Sequence, residues 1–324
     1  MTKYKRFLSI NYFFWIGLFI LPFVYCPKAV IPYEIPRVWF FIGWVEIMVL
    51  IALSRDQIRK GNLNRKLAFL TLTLFPIALI SSILGTDFNK SLVGNYYRSD
   101  GLVTLVHLIA FSIAAFLYFG RKTFEKVPHF IFWGSSLVSM LAILDNFRLN
   151  ILNDLAIHNF YGIVGSTFGQ PVFLAGYLLT TLPFGMYLYK VSDGKLRKIY
   201  TALIVLQALT ILLTRSWGAS LGLIVIVVCW IFYFGRRHRG VYLGLFSILF
   251  VLGSLVFLVV QRRIIENLPN KFIAESRVRI YTKGFLAFTK RPILGWGWAN
   301  FEFGLTCPRA WAIMQYQRIV TVGV

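Results

Sequence analysis

Two apolar runs near the middle of the chain decide its fold class. Residues 199–214 read IYTALIVLQALTILLT, residues 217–235 read WGASLGLIVIVVCWIFYFG, and neither run contains a charged residue. A helix needs about 20 apolar residues to cross the hydrocarbon core of a membrane. Only Arg215 and Ser216 separate the two runs. They therefore predict a tight pair of membrane-spanning helices.

The same pattern recurs along the rest of the 324-residue chain. We predict nine spans in all, at residues 7–25, 37–54, 67–85, 101–120, 128–146, 167–189, 199–214, 217–235 and 241–260. The first span follows basic residues but lacks a small-residue cleavage site, so it is interpreted as a retained helix. The predicted fold is all-α: a polytopic integral membrane protein with about nine transmembrane helices plus an extracytoplasmic amphipathic helical segment.

The composition excludes the main alternatives to a membrane protein. Hydrophobic residues make up 58% of the chain and charged residues only 14%, whereas an average soluble domain carries roughly 25% charged residues. A soluble globule, a disordered tail and a secreted disulfide scaffold are therefore poor fits. The three cysteines are scattered and no metal-ligand spacing occurs, so neither a metal nor a cofactor is expected.

The basic residues encode an orientation. The net charge is +22, and with a cytoplasmic N-terminus 18 Lys and Arg fall in inner segments against six in outer segments before residue 261. This asymmetry follows the positive-inside rule and disfavours nucleic-acid binding as the reason for the charge. We predict a transmembrane bundle over residues 1–260, with its N-terminus cytoplasmic, and an extracytoplasmic loop region over residues 261–324.

The first candidate site is the outer segment from Gly94 to Gly101, which reads GNYYRSDG. Arginine offers a planar fork that matches phosphate oxygens, so Arg98 is a candidate for holding a diphosphate. Tyr97 and Asp100 are its supporting residues, and the aspartate is placed to orient the guanidinium. An interfacial belt of tyrosines with a snorkelling arginine is the alternative interpretation.

The second candidate site is Arg215, between two apolar runs and beside small residues. This position lies at or just under the outer membrane interface, where a charged side chain is costly unless it is paired. The arginine either snorkels at a tight hairpin or receives an anionic lipid headgroup, and the residues leave both interpretations open. Upstream, residues 165–171 (GSTFGQP) predict a helix start.

The predicted outer tail contains the third candidate. Apolar residues recur every three or four positions between Val278 and Phe288, which predicts an amphipathic helix resting on the outer membrane surface. Pro292 and Gly295 are expected to end it. Arg277 and Arg279 are also candidates for binding a phosphate-rich donor.

Acid–base chemistry has one weak candidate. His158 lies in a predicted outer loop beside Asn159, but a lone loop histidine is usually only solvated. No Ser-His-Asp order and no nucleotide-binding glycine loop accompanies it.

Four stretches occur in a distinctive order: YYRSDG at 96–101, STFGQPVFLAG at 166–176, TRSWGA at 214–219, and Ser276-Arg277 followed by PILGWG at 292–297 and Phe301. In this order and spacing they resemble the O-antigen ligase and O-antigen polymerase family of bacterial envelope enzymes. The resemblance covers residues from about 86 to 303. One deviation is Gln170, where relatives often have asparagine.

The resemblance implies metal-independent glycosyl transfer at the outer face of the bacterial cytoplasmic (inner) membrane. A glycan would leave an undecaprenyl-diphosphate carrier and join an acceptor hydroxyl on a lipid, a growing glycan or a protein. Arg98, Arg215 and Arg277 would hold the diphosphate leaving group. Besides donor and acceptor, the expected partners are membrane lipids and not nucleic acid. Ligase and polymerase remain alternatives.

One departure from the family keeps the enzyme assignment open. Such enzymes continue past a large outer loop that carries a His-Asn pair, whose histidine is thought to activate the acceptor. Nothing after Phe303 resembles the family, and His158-Asn159 stands at a different place. We therefore expect a truncated or frameshifted product. The alternatives are a transporter or flippase for a lipid-linked or anionic solute, and an inactive fragment of the transferase.

Overall fold

The computed structural model describes residues 10–29, 31–53, 62–95, 98–146, 165–234 and 277–305. Within these ranges the chain forms α-helices, two short 3-10 turns and no strand. The helices, in chain order, are α1 (Ile10–Ile20), α2 (Glu34–Leu53), α3 (Asn62–Leu72), α4 (Leu74–Ile83), α5 (Phe88–Val93), α6 (Leu102–Tyr118), α7 (Arg121–Phe124), α8 (Val127–Asn146), α9 (Pro171–Val191), α10 (Gly194–Leu213), α11 (Trp217–Phe234), α12 (Arg277–Lys290) and α13 (Phe301–Leu305).

The helices confirm an all-α membrane protein. Five helical segments of the described chain are long and apolar enough to cross a membrane: Glu34–Leu53, Lys66–Ile83, Arg121–Asp145, Pro171–Val191 and Gly194–Leu213. Three further helical segments are also apolar but shorter: Ile10–Phe23, Leu102–Tyr118 and Trp217–Trp230. Eight predicted spans thus coincide with helices, and the ninth, at residues 241–260, lies outside the described residues.

The predicted span at residues 67–85 is divided into α3 and α4 at Thr73. Proline has no backbone N–H, so Pro76 cannot donate to the carbonyl of Leu72 and the helical ladder is interrupted there. The Oγ1 of Thr73 donates instead to the carbonyl of Leu70 at 2.6 Å. The segment nevertheless remains one apolar unit from Lys66 to Ile83.

The chain divides into two compact units, which alternate along the sequence. Unit 1 comprises Met1–Arg55 and Phe119–Val259, and unit 2 comprises Asp56–Tyr118 and Val260–Val324. The predicted division into a transmembrane bundle over residues 1–260 and an extracytoplasmic loop region over residues 261–324 stays a prediction.

Unit 1 is built around α8, α9 and α10, which pack against one another along their lengths. One buried apolar cluster of the described residues of unit 1 consists of Val138, Ala142, Leu174, Ala175, Leu178, Ile211 and Ala219. A polar contact crosses the same helices: the fully buried Gln207 donates through Nε2 to the hydroxyls of Ser135 at 2.8 Å and Ser136 at 3.1 Å. Such amide–hydroxyl contacts connect helices where water is absent.

We expect Gln207→Leu to lower the stability of the bundle by about 1 kcal/mol, the size of interhelical hydrogen bonds in membrane proteins. The loss stays small because both serine hydroxyls also donate to the carbonyl of Phe132. Reversible unfolding in mixed micelles measures it. Leu209→Ala, at a position 50% exposed on the same helix, is the control. A loss above about 3 kcal/mol would contradict this estimate of hydrogen-bond strength.

Unit 2 has a smaller core between α4 and α6, made of Ala78, Leu102, Leu105 and Ile109. Helix α12 packs on α13 through small residues. A Cβ on Gly304 would lie 2.8 Å from the Cβ of Ala287, and one on Gly284 would lie 3.3 Å from the ring of Phe301. Small side chains therefore permit the close approach of these two helices.

Candidate functional site

The loop from Gly94 to Gly101 is closed at its base by its two glycines. A Cβ on Gly94 would lie 2.3 Å from the amide nitrogen of Gly101, and one on Gly101 would lie 2.4 Å from that of Gly94. Gly94 also has a φ of +90°, which other residues rarely adopt. The loop thus projects as a closed turn between α5 and α6. Tyr97, predicted as a supporting residue, lies outside the described residues.

Arg98 is exposed on this loop. Its backbone N–H donates to the carbonyl of Asn95 at 3.0 Å, and within the described residues its guanidinium makes no hydrogen bond or ion pair. The Oδ1 of Asp100 accepts from the N–H of Asn95 at 3.0 Å, so this carboxylate braces the loop backbone. The loop accordingly presents a cation whose hydrogen-bond donors can reach an anion.

A second segment of unit 2, residues 294–302, docks onto the end of α4 and onto α5; we name it the docking segment. The hydroxyl of Ser81 donates to the carbonyl of Leu294 at 2.6 Å. The N–H of Thr86 donates to the carbonyl of Trp296 at 3.0 Å. Trp298 then contacts the arginine-bearing loop itself, since its indole Nε1 donates to the carbonyl of Asp100 at 2.7 Å. The first and fourth family-like stretches are therefore joined in one unit.

Two glycines make this docking possible. A Cβ on Gly85 would lie 2.7 Å from the carbonyl oxygen of Trp296 and 2.8 Å from the Cα of Gly297. Gly297 has a φ of +103°, a conformation that favours glycine. Because the neighbouring atoms are backbone, a side chain at Gly85 could not be accommodated by rotating another side chain.

A buried amide and an ion pair complete the docking. Asn300 is fully buried, and its Nδ2 donates to the carbonyl of Asp87 at 2.8 Å and to the hydroxyl of Ser91 at 3.0 Å. The carboxylate of Glu302 pairs with Lys90 and accepts from the Nδ2 of Asn95 at 3.2 Å. The amide is therefore the deeply placed contact and the ion pair the outer one.

We expect Glu302→Gln to weaken the docking by less than about 1 kcal/mol, because half-exposed ion pairs contribute little. Asn300→Ala should cost more, about 1–2 kcal/mol, because it removes two hydrogen bonds made by a buried amide. Hydrogen exchange of the amides in residues 294–302 compares the two variants. Equal effects would show that the ion pair matters as much as the buried amide.

Arg277 is the first residue of α12, the helix that leads into the docking segment, and Arg279 lies in its first turn. The side chains of both lie outside the described part of the chain. Arg98 and Arg277 accordingly belong to the same unit, whereas Arg215 belongs to unit 1. His158 falls within residues 147–164, which the structure does not describe.

Arg215 occupies the turn between α10 and α11 with a φ of +51°, in the left-handed region. This conformation costs a non-glycine residue roughly 1–2 kcal/mol. The turn is held by neighbours: the N–H of Arg215 donates to the carbonyl of Leu212 at 3.1 Å, and the buried hydroxyl of Thr214 donates to that of Ile211 at 2.6 Å. Arg215 is exposed. Strained residues tend to cluster at functional sites.

The start of α9, where the stretch STFGQP lies, is held by an arginine of α2. Arg37 donates through Nη2 to the carbonyls of Thr167 at 2.8 Å and Pro22 at 3.2 Å. Its guanidinium also stacks over the ring of Phe168 at 4.2 Å. The predicted helix start is therefore confirmed at Pro171. Arg37 acts here as a structural brace.

Tyr33 packs on the same stretch. A Cβ on Gly169, whose φ is +69°, would lie 2.2 Å from the Tyr33 ring. Burial, then the nearby charges of Asp145 and Tyr25, raise the pKa of the Tyr33 hydroxyl above its ordinary value. A tyrosine hydroxyl is protonated at neutral pH even at its ordinary pKa of about 10, so this upward shift leaves its protonation state unchanged.

Part of the chain that contains two of these stretches matches a known protein family. Residues 202–318 match the model described as O-antigen ligase. This match supports the predicted resemblance to the O-antigen ligase family. The matched region contains the Arg215 turn, α12 and the docking segment. Searches of curated proteins and of solved structures give no match to this chain.

The match supports glycan transfer of the ligase or polymerase type in general terms, which implies a lipid-linked glycan donor and a glycan acceptor. Together with the apolar helices, it also confirms a membrane protein.

Several residues that hold the family-like stretches in place were not predicted from the sequence. They are Arg37, Asn300, Glu302 and Trp298. One local signal was present: Asp87 caps the start of α5 by accepting from the N–H of Lys90 at 3.0 Å, and an aspartate before a short helix is a recognisable cap. The partners of Asn300 and Glu302 lie more than 200 residues away in the chain, beyond the reach of any local pattern.

Proposed function

We propose that this protein transfers a glycan from an undecaprenyl-diphosphate carrier to an acceptor hydroxyl at the outer face of the cytoplasmic membrane. The observation that carries the proposal is the family match over residues 202–318, because it includes two of the three arginines predicted to hold the diphosphate. Those two are Arg215 and Arg277. The geometry of Arg98, exposed on a braced loop of the unit that also contains α12, supports the same role.

The reaction develops negative charge on its leaving group, which cations can stabilise. The acceptor oxygen attacks the anomeric carbon of the glycan, and the bond between that carbon and the diphosphate oxygen breaks. The electron pair leaves with the diphosphate, whose negative charge grows as the bond lengthens. Fixed guanidinium groups stabilise such developing charge, and each well-placed donor is worth about 10²–10³-fold in rate.

The acceptor hydroxyl must lose its proton in the same reaction. His158 is the one weak candidate for taking it, and it stands at a different place in the chain from the family's His-Asn pair. General-base assistance of this kind contributes about 10²–10⁴-fold. A pH–rate profile of His158→Gln against the unaltered chain would assign the proton to this residue or remove it from consideration.

The direct test uses the purified full chain in liposomes with a native undecaprenyl-diphosphate-linked glycan and a hydroxyl acceptor. Transfer predicts that glycosylated acceptor and free undecaprenyl diphosphate appear in equal amounts. A transporter or flippase would move the lipid-linked glycan between leaflets and leave its diphosphate bond intact. If neither product forms at any donor concentration, the transfer proposal is refuted.

A further inference from the structure

The apolar stripe of α12 points away from the residues on which the helix packs. Tyr281, Phe285 and Phe288 recur every three or four positions and share one side of the helix. These side chains are 71%, 66% and 56% exposed, respectively. The packed side is different: Ala287 is buried against α13 and Trp296. Three aromatic rings are therefore presented to the surroundings of the described chain.

The same helix is uniformly basic. Residues 277–291 contain five Lys and Arg and no Asp or Glu; the basic residues are Arg277, Arg279, Lys283, Lys290 and Arg291. A helix with an aromatic side and basic flanks is typical of segments that lie in the interface of a bilayer containing anionic lipids. A soluble anion alone would satisfy the charges but leave the rings in water.

The C-terminal end of α12 is held at the level where the apolar helix α4 ends. The docking segment that follows it is bonded to Ser81 and Ser82, in the last turn of α4. That turn ends the apolar segment Lys66–Ile83, which is long enough to cross a membrane. Ile293, just after α12, is 91% exposed at this end.

The length of α12 determines how the helix is oriented relative to the membrane. Its 14 residues span about 21 Å, too short to cross a hydrocarbon core about 30 Å thick. A helix anchored at the height of the interface, with one aromatic side and no acidic residue, can cover that side only by lying along the surface. We infer that α12 docks lengthwise on an anionic phospholipid bilayer, with Tyr281, Phe285 and Phe288 inserted below the headgroups.

Spin labels at single cysteines test this inference in the full chain. Cys26, Cys229 and Cys307 are first replaced by serine, and the protein is placed in nanodiscs of phosphatidylethanolamine and phosphatidylglycerol. Phe285→Cys and Phe288→Cys report on the stripe. Lys290→Cys, exposed and about 140° around the helix from Phe285, is the matched control.

We expect labels at positions 285 and 288 to be relaxed at least several-fold more by oxygen, which partitions into lipid, than by a water-soluble nickel chelate. The label at position 290 should show the reverse. Free access of the chelate to both stripe positions would overturn the inference. Shielding from both reagents would also overturn it, since it would mean that protein covers the stripe.

The lipid charge is tested separately. In nanodiscs of phosphatidylcholine alone, the labels at 285 and 288 should move toward the aqueous pattern, because the basic flanks lose their anionic partners. Excess inorganic phosphate should not reproduce this shift in phosphatidylglycerol nanodiscs. A stripe equally inserted in neutral lipid would refute the anionic part of the inference. None of these measurements depends on glycan transfer, so the two proposals can fail independently.

Discussion

Arg215→Ala is expected to lower the rate of glycan transfer by about 10²–10³-fold, the effect of removing one fixed donor from a developing anion. The protein should remain folded and inserted. Arg215 is exposed, and alanine keeps the Cβ that already tolerates a φ of +51°. The initial rate of acceptor glycosylation in liposomes measures the effect at saturating donor.

Two further substitutions at the same position separate the guanidinium from the backbone. Arg215→Gly relieves the left-handed strain, so the protein should gain up to about 1 kcal/mol of stability and yet lose transfer as fully as the alanine variant. Arg215→Lys keeps a point charge without the planar fork and should be intermediate. Wild-type rates in the glycine variant would refute a role for this side chain in holding the diphosphate.

Gly85→Ala is expected to undock residues 294–302 from α4 and α5. The new Cβ would lie 2.7 Å from the carbonyl oxygen of Trp296 and 2.8 Å from the Cα of Gly297. Overpacking of this kind costs typically about 1–3 kcal/mol, which corresponds to about 5–150-fold faster exchange of amides that open with the segment. Hydrogen exchange of the Trp298 and Asn300 amides is the measurement.

The matched control is Gly43→Ala, in α2, where a Cβ meets nothing within 4 Å. This variant should leave exchange in the docking segment unchanged. If the docking segment positions α12 and the Arg98 loop for donor binding, Gly85→Ala should also raise the KM for the lipid-linked donor. Unaltered exchange at Trp298 in the Gly85 variant would show that the close backbone approach does not hold the segment.

The sequence by itself determined the helical architecture. Long uncharged runs such as 217–235 leave one way to satisfy every backbone group in lipid, which is a helix. The apolar recurrence every three or four positions between Val278 and Phe288 also predicted α12, because that spacing matches one face of a helix. The limits of single helices were less predictable, as the interruption at Thr73 shows, because they depend on the local effect of Pro76.

The order of the four family-like stretches also predicted the resemblance to the O-antigen ligase family from the sequence alone. The third and fourth of these stretches lie within the region that matches the O-antigen ligase model, and a role for Arg215 in the chemistry stays a prediction. The positions of Tyr97 and His158, and of the Arg277 and Arg279 side chains, stay predictions.

Only the tertiary structure decided how these stretches meet. Trp298 reaches the carbonyl of Asp100, and Asn300 reaches Ser91, across about 200 residues of chain. Likewise Arg37 donates to the carbonyl of Thr167, which lies 130 residues further along the chain. Apolar content is a local property that one helix expresses alone, whereas a hydrogen bond between distant segments depends on which surfaces the packed helices bring together.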